Sequence, residues 1–398
     1  MSVWHPTKVK YKVLLKKLLF CIGFIFQIID YLWPKDKKCI VFGSQMGQYM
    51  ACSPKYVFNY MKLNHPEYNV HYYLPFQNCG YWSQIKYILR FAPIFFRAKV
   101  LISSHPPFDF VPFDFSSKKI LINTWHGIPM KCMFFSDPGA SEANLKEIMR
   151  VNKKTSFLLT SSSMEVSLLT RCFLQDPRKI VSIGHPRNDH LITGTSYKLL
   201  SEIIPNIPKY STLILYCPTY RRNTPMRLFP FNDLNINHLK SYLDDREIVI
   251  LTRAHVQSNL ALDGVQVSRV VSRVIEFGQD VLPEINDILP EIDILITDYS
   301  SVYFDFLLCN KPLLFIPYDI DEYKHDVGIL FDDYDFWTPG DKVFSYQGFI
   351  EAIDKILSGR DTFKSKREVV RDIFHYNQDE NSSKKIIQLL SDLSGEKS

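Results

Sequence analysis

From Lys38 onward, short apolar runs rich in β-branched residues alternate with longer stretches whose apolar positions recur at helical spacing. Cys39 to Phe42, Asn69 to Leu74, Val100 to Ser104, Ile120 to Asn123, Phe157 to Thr160 and Ile180 to Ile183 read as strands. Ser53 to Leu63 and Trp82 to Lys99 read as helices between them. The rhythm restarts at Thr212 to Tyr216 and continues through Ile248 to Leu251, Val270 to Phe277, Ile292 to Ile296 and Leu313 to Ile316. Short helices are expected over Pro283 to Leu289 and Val302 to Leu308, and closing amphipathic helices over Phe349 to Leu357 and Lys384 to Leu393. Strands separated by helical stretches predict βαβ units and parallel sheets, so the fold class is α/β. The proline-bearing stretch Ile203 to Ser211 is the best linker, which divides the chain into domains 38–204 and 205–398 behind an arm, 1–37. Ligands of such folds bind where strands end at their carboxyl edges, here in a cleft between two βα domains.

Composition adds little until it is read by position. The 398 residues are 46% hydrophobic and 14% aromatic, enough for a sizeable core. The net charge is +5, and residues 1–38 carry eight lysines against two aspartates, so the body is close to neutral. That excludes a general nucleic-acid binder. The lysines flank an uncharged run, Leu18 to Ile29, too short for the ~20 residues that span a bilayer. With Tyr31 and Trp33 behind it, the arm reads as an interfacial helix on an anionic membrane surface, placing the protein peripherally at the cytoplasmic face of the cell membrane. The competing reading is an ordinary helix packed on the body. Eight cysteines are scattered without a C-x-x-C pair, which fits reduced thiols of a cytoplasmic protein and no zinc site.

The chemistry-bearing residues lie in the loops after strands. Asp298-Tyr299-Ser300-Ser301 follows one strand and opens a helix, where free N–H groups and the positive dipole end favour an anion. The plainer alternative makes Asp298 or Ser300 a helix cap. His126, followed by Gly127, ends another strand and can act as a general base near neutral pH. Arg253 with His255, Arg221 with Arg222, and Arg187 supply cations in three further loops. Arginine suits bidentate phosphate contacts, and its plain alternative is an ion pair. Together these loops describe a diphosphate site. There is no P-loop, no dinucleotide fingerprint and no nucleophile elbow. Asp319-Ile320-Asp321-Glu322 could take a cation but reads better as a solvated acidic turn.

Five motifs, in order, resemble those of the CDP-glycerol glycerophosphotransferases that build teichoic-acid and capsule polymers. Trp125-His126-Gly127-Ile128-Pro129-Met130-Lys131 is similar to W-H-G-T-P-x-K. Gly184 to Asp189 is similar to G-x-P-R-x-D, and Tyr216 to Arg221, which contains Thr219, to Y-A-P-T-W-R. Leu251 to His255 resembles L-R-x-H. Ile296 to Asp305 with Phe315 to Tyr323 resembles I-T-D-Y-S-S-x-x-F-D and Y-D-x-D-x-Y. The resemblance implies a GT-B architecture, two Rossmann-like domains facing across a cleft. It implies a CDP-glycerol or CDP-ribitol donor and a lipid-linked saccharide or polyol-phosphate acceptor. His126 would be the general base, and His255 and Arg253 would stabilise the transferring phosphoryl group. Ser300 and Ser301 would hold donor phosphate, with Asp298, Thr219, Arg221, Arg187 and Gly127 around the donor. No metal ligand set is implied, and no cofactor is required by the resemblance, with Mg²⁺ the candidate. Two other readings are a GT-B glycosyltransferase using a nucleotide sugar and a non-catalytic envelope polymer-binding protein.

Overall fold

The structure, a computed structural model, describes residues 23–75, 80–208, 211–222, 224–253 and 267–394. Two six-stranded sheets organise it, with orders β2-β1-β3-β4-β5-β6 and β12-β11-β10-β7-β8-β9. The first comprises β1 (Asp36–Gly43), β2 (Asn69–Tyr72), β3 (Ala98–Ser103), β4 (Ile120–Asn123), β5 (Thr155–Thr160) and β6 (Ile180–Ser182). The second comprises β7 (Thr212–Cys217), β8 (Ile248–Thr252), β9 (Val274–Glu276), β10 (Ile294–Thr297), β11 (Leu313–Phe315) and β12 (Asp341–Lys342). β3 and β4 pair in parallel, as do β7, β8 and β10, in keeping with the α/β expectation. Their central strands are buried on both faces, which is why they read as continuous apolar runs rather than alternating ones.

By contacts the chain forms two compact units. One holds Met1–His126, Arg150–Leu159 and Ser383–Ser398, and the other holds Gly127–Met149 and Thr160–Ser382. In the first, Val41, Leu101 and Leu121 from three strands meet an aromatic cluster of Tyr73, Phe91, Phe95, Phe110 and Phe113. Phe95 and Phe113 stack at 4.6 Å. In the second, Ile214, Ile250, Ile294 and Leu314 form the floor on which the helix Tyr346–Leu357 packs through Phe349 and Ile353.

Residues 23–32 form a helix of the first unit. Phe26 and Ile29 pack on its aromatic core, whereas Phe24, Ile25, Ile28, Tyr31 and Leu32 are exposed. Asp30 is fully buried beneath the helix. Its carboxylate accepts from Ser116 N and Oγ and pairs with Lys35 and Lys119 at 2.9 and 3.0 Å. Burial pulls the Lys119 ammonium down to about 8, against the opposing pull of Asp30. The rest of the arm, residues 1–22, lies outside the described residues. No helix among the described residues is long and apolar enough to cross a membrane.

Three local expectations change. The strand placed at 270–277 is only Val274–Glu276, because residues 267–270 are helical and a turn follows. The helix after the Ser-Ser pair is α-helical only over Val302–Phe306, tightens to 3₁₀ over Leu307–Cys309, and stops where Asn310 turns left-handed at φ 49°. The acidic stretch at 319–322 is no solvated turn. Ile320–Asp326 is a helix, and the Asp319 carboxylate is nearly buried against Arg221. The helix Leu199–Ile203 ends where the expected linker begins, and that linker carries hydrogen-bonded turns, Ile207 N to Ile204 O and Ser211 N to Pro208 O. Among the described residues the cysteines are free, five of them buried.

Candidate functional site

In the first unit, β4 ends at Asn123 and the chain reverses through Trp125, which is left-handed at φ 52°. An aromatic residue adopts that conformation only when its surroundings enforce it. Here Asn123 Oδ1 accepts from Trp125 N at 2.9 Å and Ser103 O accepts from Thr124 N at 2.8 Å. The turn delivers His126, which is half-buried. Its Nδ1 lies 3.3 Å from Ser104 O. A carbonyl only accepts, so Nδ1 carries the hydrogen, and in the neutral ring the lone pair is on Nε2. That is the tautomer a general base needs. The ring of His105 lies parallel to His126 at 4.0 Å and 7°.

In the second unit, Gly127 is pressed against Ser301. A Cβ at position 127 would sit 2.8 Å from Ser301 Oγ, so this position admits glycine alone without displacing the serine. Ser301 occupies the cap position of its short helix but makes no side-chain capping bond. Nor does Asp298 cap it. The buried Asp298 carboxylate accepts from Thr219 N at 2.8 Å, Thr219 Oγ1 at 2.5 Å and Tyr299 N at 2.6 Å, and from Arg221 Nη2 at 2.9 Å. Arg221 also grips Asp319 with Nε and Nη2, at 2.6 and 2.8 Å. The rings of Tyr299, Tyr318 and Tyr323 surround its guanidinium at 5.0 to 5.2 Å. Burial works against this charge, but the two carboxylates outweigh it and raise the guanidinium pKa further. Thr219, Arg221 and Asp298 therefore clasp the loop after β7 to the loop after β10.

Arg187 forms a second clasp. Its Nε and Nη2 each donate to Asp305 at 3.0 Å, and Asn188 adds a third bond at 2.7 Å. Burial lifts the Asp305 carboxyl, yet Arg187 and these bonds more than reverse it and hold it at about 2. The Arg253 guanidinium donates to the carbonyls of Gly278, Leu282 and Pro283, pinning the stretch before the 3₁₀ helix Ile285–Glu291. His255 lies outside the described residues.

Two residues had no role in the sequence reading. His105 belongs to no motif. Lys131 ends the W-H-G-like motif, whose backbone zips antiparallel to Ile329. Its ammonium has no hydrogen bond or ion pair among the described residues, and burial, then Arg222, lowers its pKa against Asp137. Arg222 itself is paired with Asp137 at 2.5 Å. Among the described residues, no cluster of three or more His, Cys, Asp or Glu could hold a metal ion.

The teichoic acid poly(glycerol phosphate) polymerase of Bacillus subtilis (strain 168) is 29% identical over 376 residues, covering 89% of this chain and 48% of its own length. The chain thus spans about half of that relative. The corresponding polymerase of Bacillus spizizenii is 27% identical over 406 residues, with 96% of this chain and 98% of the relative aligned. A solved structure of the wall teichoic acid polymerase TagF superposes with a TM-score of 0.74 at 22% identity over 99% of both chains, which is a likeness of fold. The profile of the family described as CDP-Glycerol:Poly(glycerophosphate) glycerophosphotransferase matches residues 25–392. The chain belongs to that family of transferases.

Proposed function

We propose that the protein transfers glycerol phosphate from CDP-glycerol to a hydroxyl of a membrane-linked acceptor and releases CMP, with CDP-ribitol as the alternative donor. The reaction is a phosphoryl transfer. The acceptor oxygen bonds to the β-phosphorus, the bond from that phosphorus to the oxygen bridging to the α-phosphate breaks, and the electron pair leaves on CMP. Such chemistry asks the protein mainly for positioning and for positive charge around the transferring group. His126 Nε2 takes the hydroxyl proton. His255 and Arg253 face the transferring phosphoryl group, and Ser300 and Ser301 hold donor phosphate beside Gly127. Asp298, Thr219, Arg221 and Arg187 set the shape of the loops that carry the donor. A GT-B arrangement of domains 38–204 and 205–398 accommodates this division of labour.

The observation that carries the reading is the His126 tautomer, with Nδ1–H committed to Ser104 O inside a motif of the family. Incubation with CDP-glycerol, CDP-ribitol and common nucleotide sugars tests it. CMP release from a CDP-polyol is the expected outcome, and nucleoside diphosphate release from a sugar donor would reassign the protein as a glycosyltransferase. The membrane half of the proposal rests on the outward apolar face of the helix at 23–32 and the lysines around it. The full chain should sediment with anionic liposomes and a chain starting at Lys38 should not. Each lysine near the surface contributes ~1 kcal/mol that salt screens, while the apolar part persists.

A further inference from the structure

His105 lies outside every motif, yet its ring is the flat surface against which His126 rests. The centroids are 4.0 Å apart and the planes differ by 7°. Trp125 touches the same imidazole at 3.8 Å but is tilted by 40°, as a neighbour in sequence must be. Among the described residues, His105 is the ring that lies parallel to His126. The same residue, Ser104, serves both histidines: its carbonyl takes His126 Nδ1–H, and its Oγ meets His105 Nδ1 at 2.9 Å. Beneath them is Asp109, fully buried. Its Oδ2 accepts from Ser103 Oγ, Ser104 N and His105 N at 2.7, 3.0 and 2.7 Å, and its Oδ1 from Met46 N at 2.8 Å. A buried carboxylate with four donors makes a rigid footing, so the His105 ring is held by backbone and not by chance packing.

We infer that His105 is a positioning residue of the transfer reaction, a flat wall that fixes the His126 ring in the orientation that presents Nε2 to the acceptor hydroxyl. The inference rests on the reading of His126 as the base. The hydrogen bond to Ser104 O does not by itself prevent a swing about the Nδ1–O line, which would move Nε2 off the attacking oxygen. A parallel ring removes that freedom. The wall also tolerates proton uptake. Burial depresses the His105 pKa, with Asp109 at 4.0 Å opposing, so His105 offers a neutral π face to the imidazolium formed during transfer. Two protonated rings at this spacing would instead repel.

The test compares side chains of similar bulk with and without a flat face. His105→Phe and His105→Leu are assayed in the full chain by CMP release from CDP-glycerol, with a soluble glycerol-phosphate oligomer as acceptor. His105→Leu should lose tenfold or more in kcat with KM for CDP-glycerol within twofold. His105→Phe should stay within about threefold of the parent kcat. Thermal melting confirms that both are folded, and His105→Asn substitutes for the leucine variant if that one is not. Equal kcat in the Leu and Phe variants overturns the inference, whether both are intact or both are dead. His126→Ala, assayed alongside, separates the two failures. If it is as active as the parent, the base assignment falls; if it is dead while His105→Leu is intact, only the wall falls.

Discussion

Arg187 and His126 look alike in the sequence, each a basic side chain in a motif at the end of a strand, and the structure spends them in opposite ways. Arg187 is buried, and two of its guanidinium nitrogens are committed to one carboxylate, Asp305. His126 is half-buried, with one ring nitrogen tied to a carbonyl and its plane set by a neighbouring ring. The arginine's charge is balanced inside the protein by a carboxylate, whereas the histidine's Nδ1 meets a neutral carbonyl. Arg221 follows Arg187, gripping Asp298 and Asp319. The difference teaches that a basic residue in a motif at a strand end can be architecture, and that its partners reveal which.

Four experiments press on this contrast. His126→Ala should lower turnover ~10²–10⁴-fold, the usual worth of a general base, with the melting temperature unchanged. A folded His126→Ala protein with parent turnover would put the histidine on the architectural side. Arg187→Ala should act the other way, costing about 3–5 kcal/mol of stability because it strands a buried carboxylate. Urea unfolding measures this. The double change Arg187→Met with Asp305→Leu should recover most of it, since the uncompensated charge is then gone. Should Arg187→Ala leave stability intact and abolish donor binding, Arg187 belongs with the substrate contacts.

The third experiment uses pH. His375 is buried and its Nε2 lies 2.7 Å from Phe304 O. Burial, opposed by Asp305, pulls its pKa from near 6.5 to about 4. Between those values the unfolded chain binds more protons than the folded one. Stability should therefore be intact above pH 6.5 and fall as the pH drops toward 4, by about 3 kcal/mol at most. Melting curves of the parent and His375→Gln should converge at low pH; parallel curves would clear His375 of the acid sensitivity. The smallest effect is expected of Ser300→Ala with Ser301→Ala, a several-fold weaker affinity for CDP-glycerol by calorimetry. Their helix is a single α-turn with little dipole to add. Unchanged affinity would leave the serines as turn residues.

The sequence spoke clearly where one local rule governed. Buried parallel strands need apolar β-branched runs, so β3, β4, β7, β8 and β10 were legible, and the motif loops with them. β12 was not, since two residues carry no periodicity. The pairings were silent for another reason. Arg187 and Asp305 lie 118 residues apart, and Arg221 and Asp319 lie 98 apart, so nothing local links them. Thus Asp319 read as solvated when it is the far half of a clasp. His105 left no trace because stacking depends on two backbone turns meeting, which no spacing rule encodes. The end of the helix after Ser301 was overestimated because the buried Phe306 and Leu307 and the half-buried Leu308 continue the apolar run after the α-helix itself has tightened.

Asp30 has a geometric consequence. A helix attached only by apolar contacts can roll, and can offer any side to whatever it meets. The helix at 23–32 cannot, because its buried carboxylate is tied to Ser116 and Lys119. Lys119 is the residue immediately before β4, and His126 comes three residues after that strand ends. The outward row of Phe24, Ile28 and Leu32 is thus indexed to the histidine through one short strand paired on both sides, as a keel is to its hull. Any surface that seats that row sets the height and tilt of the His126 ring above it.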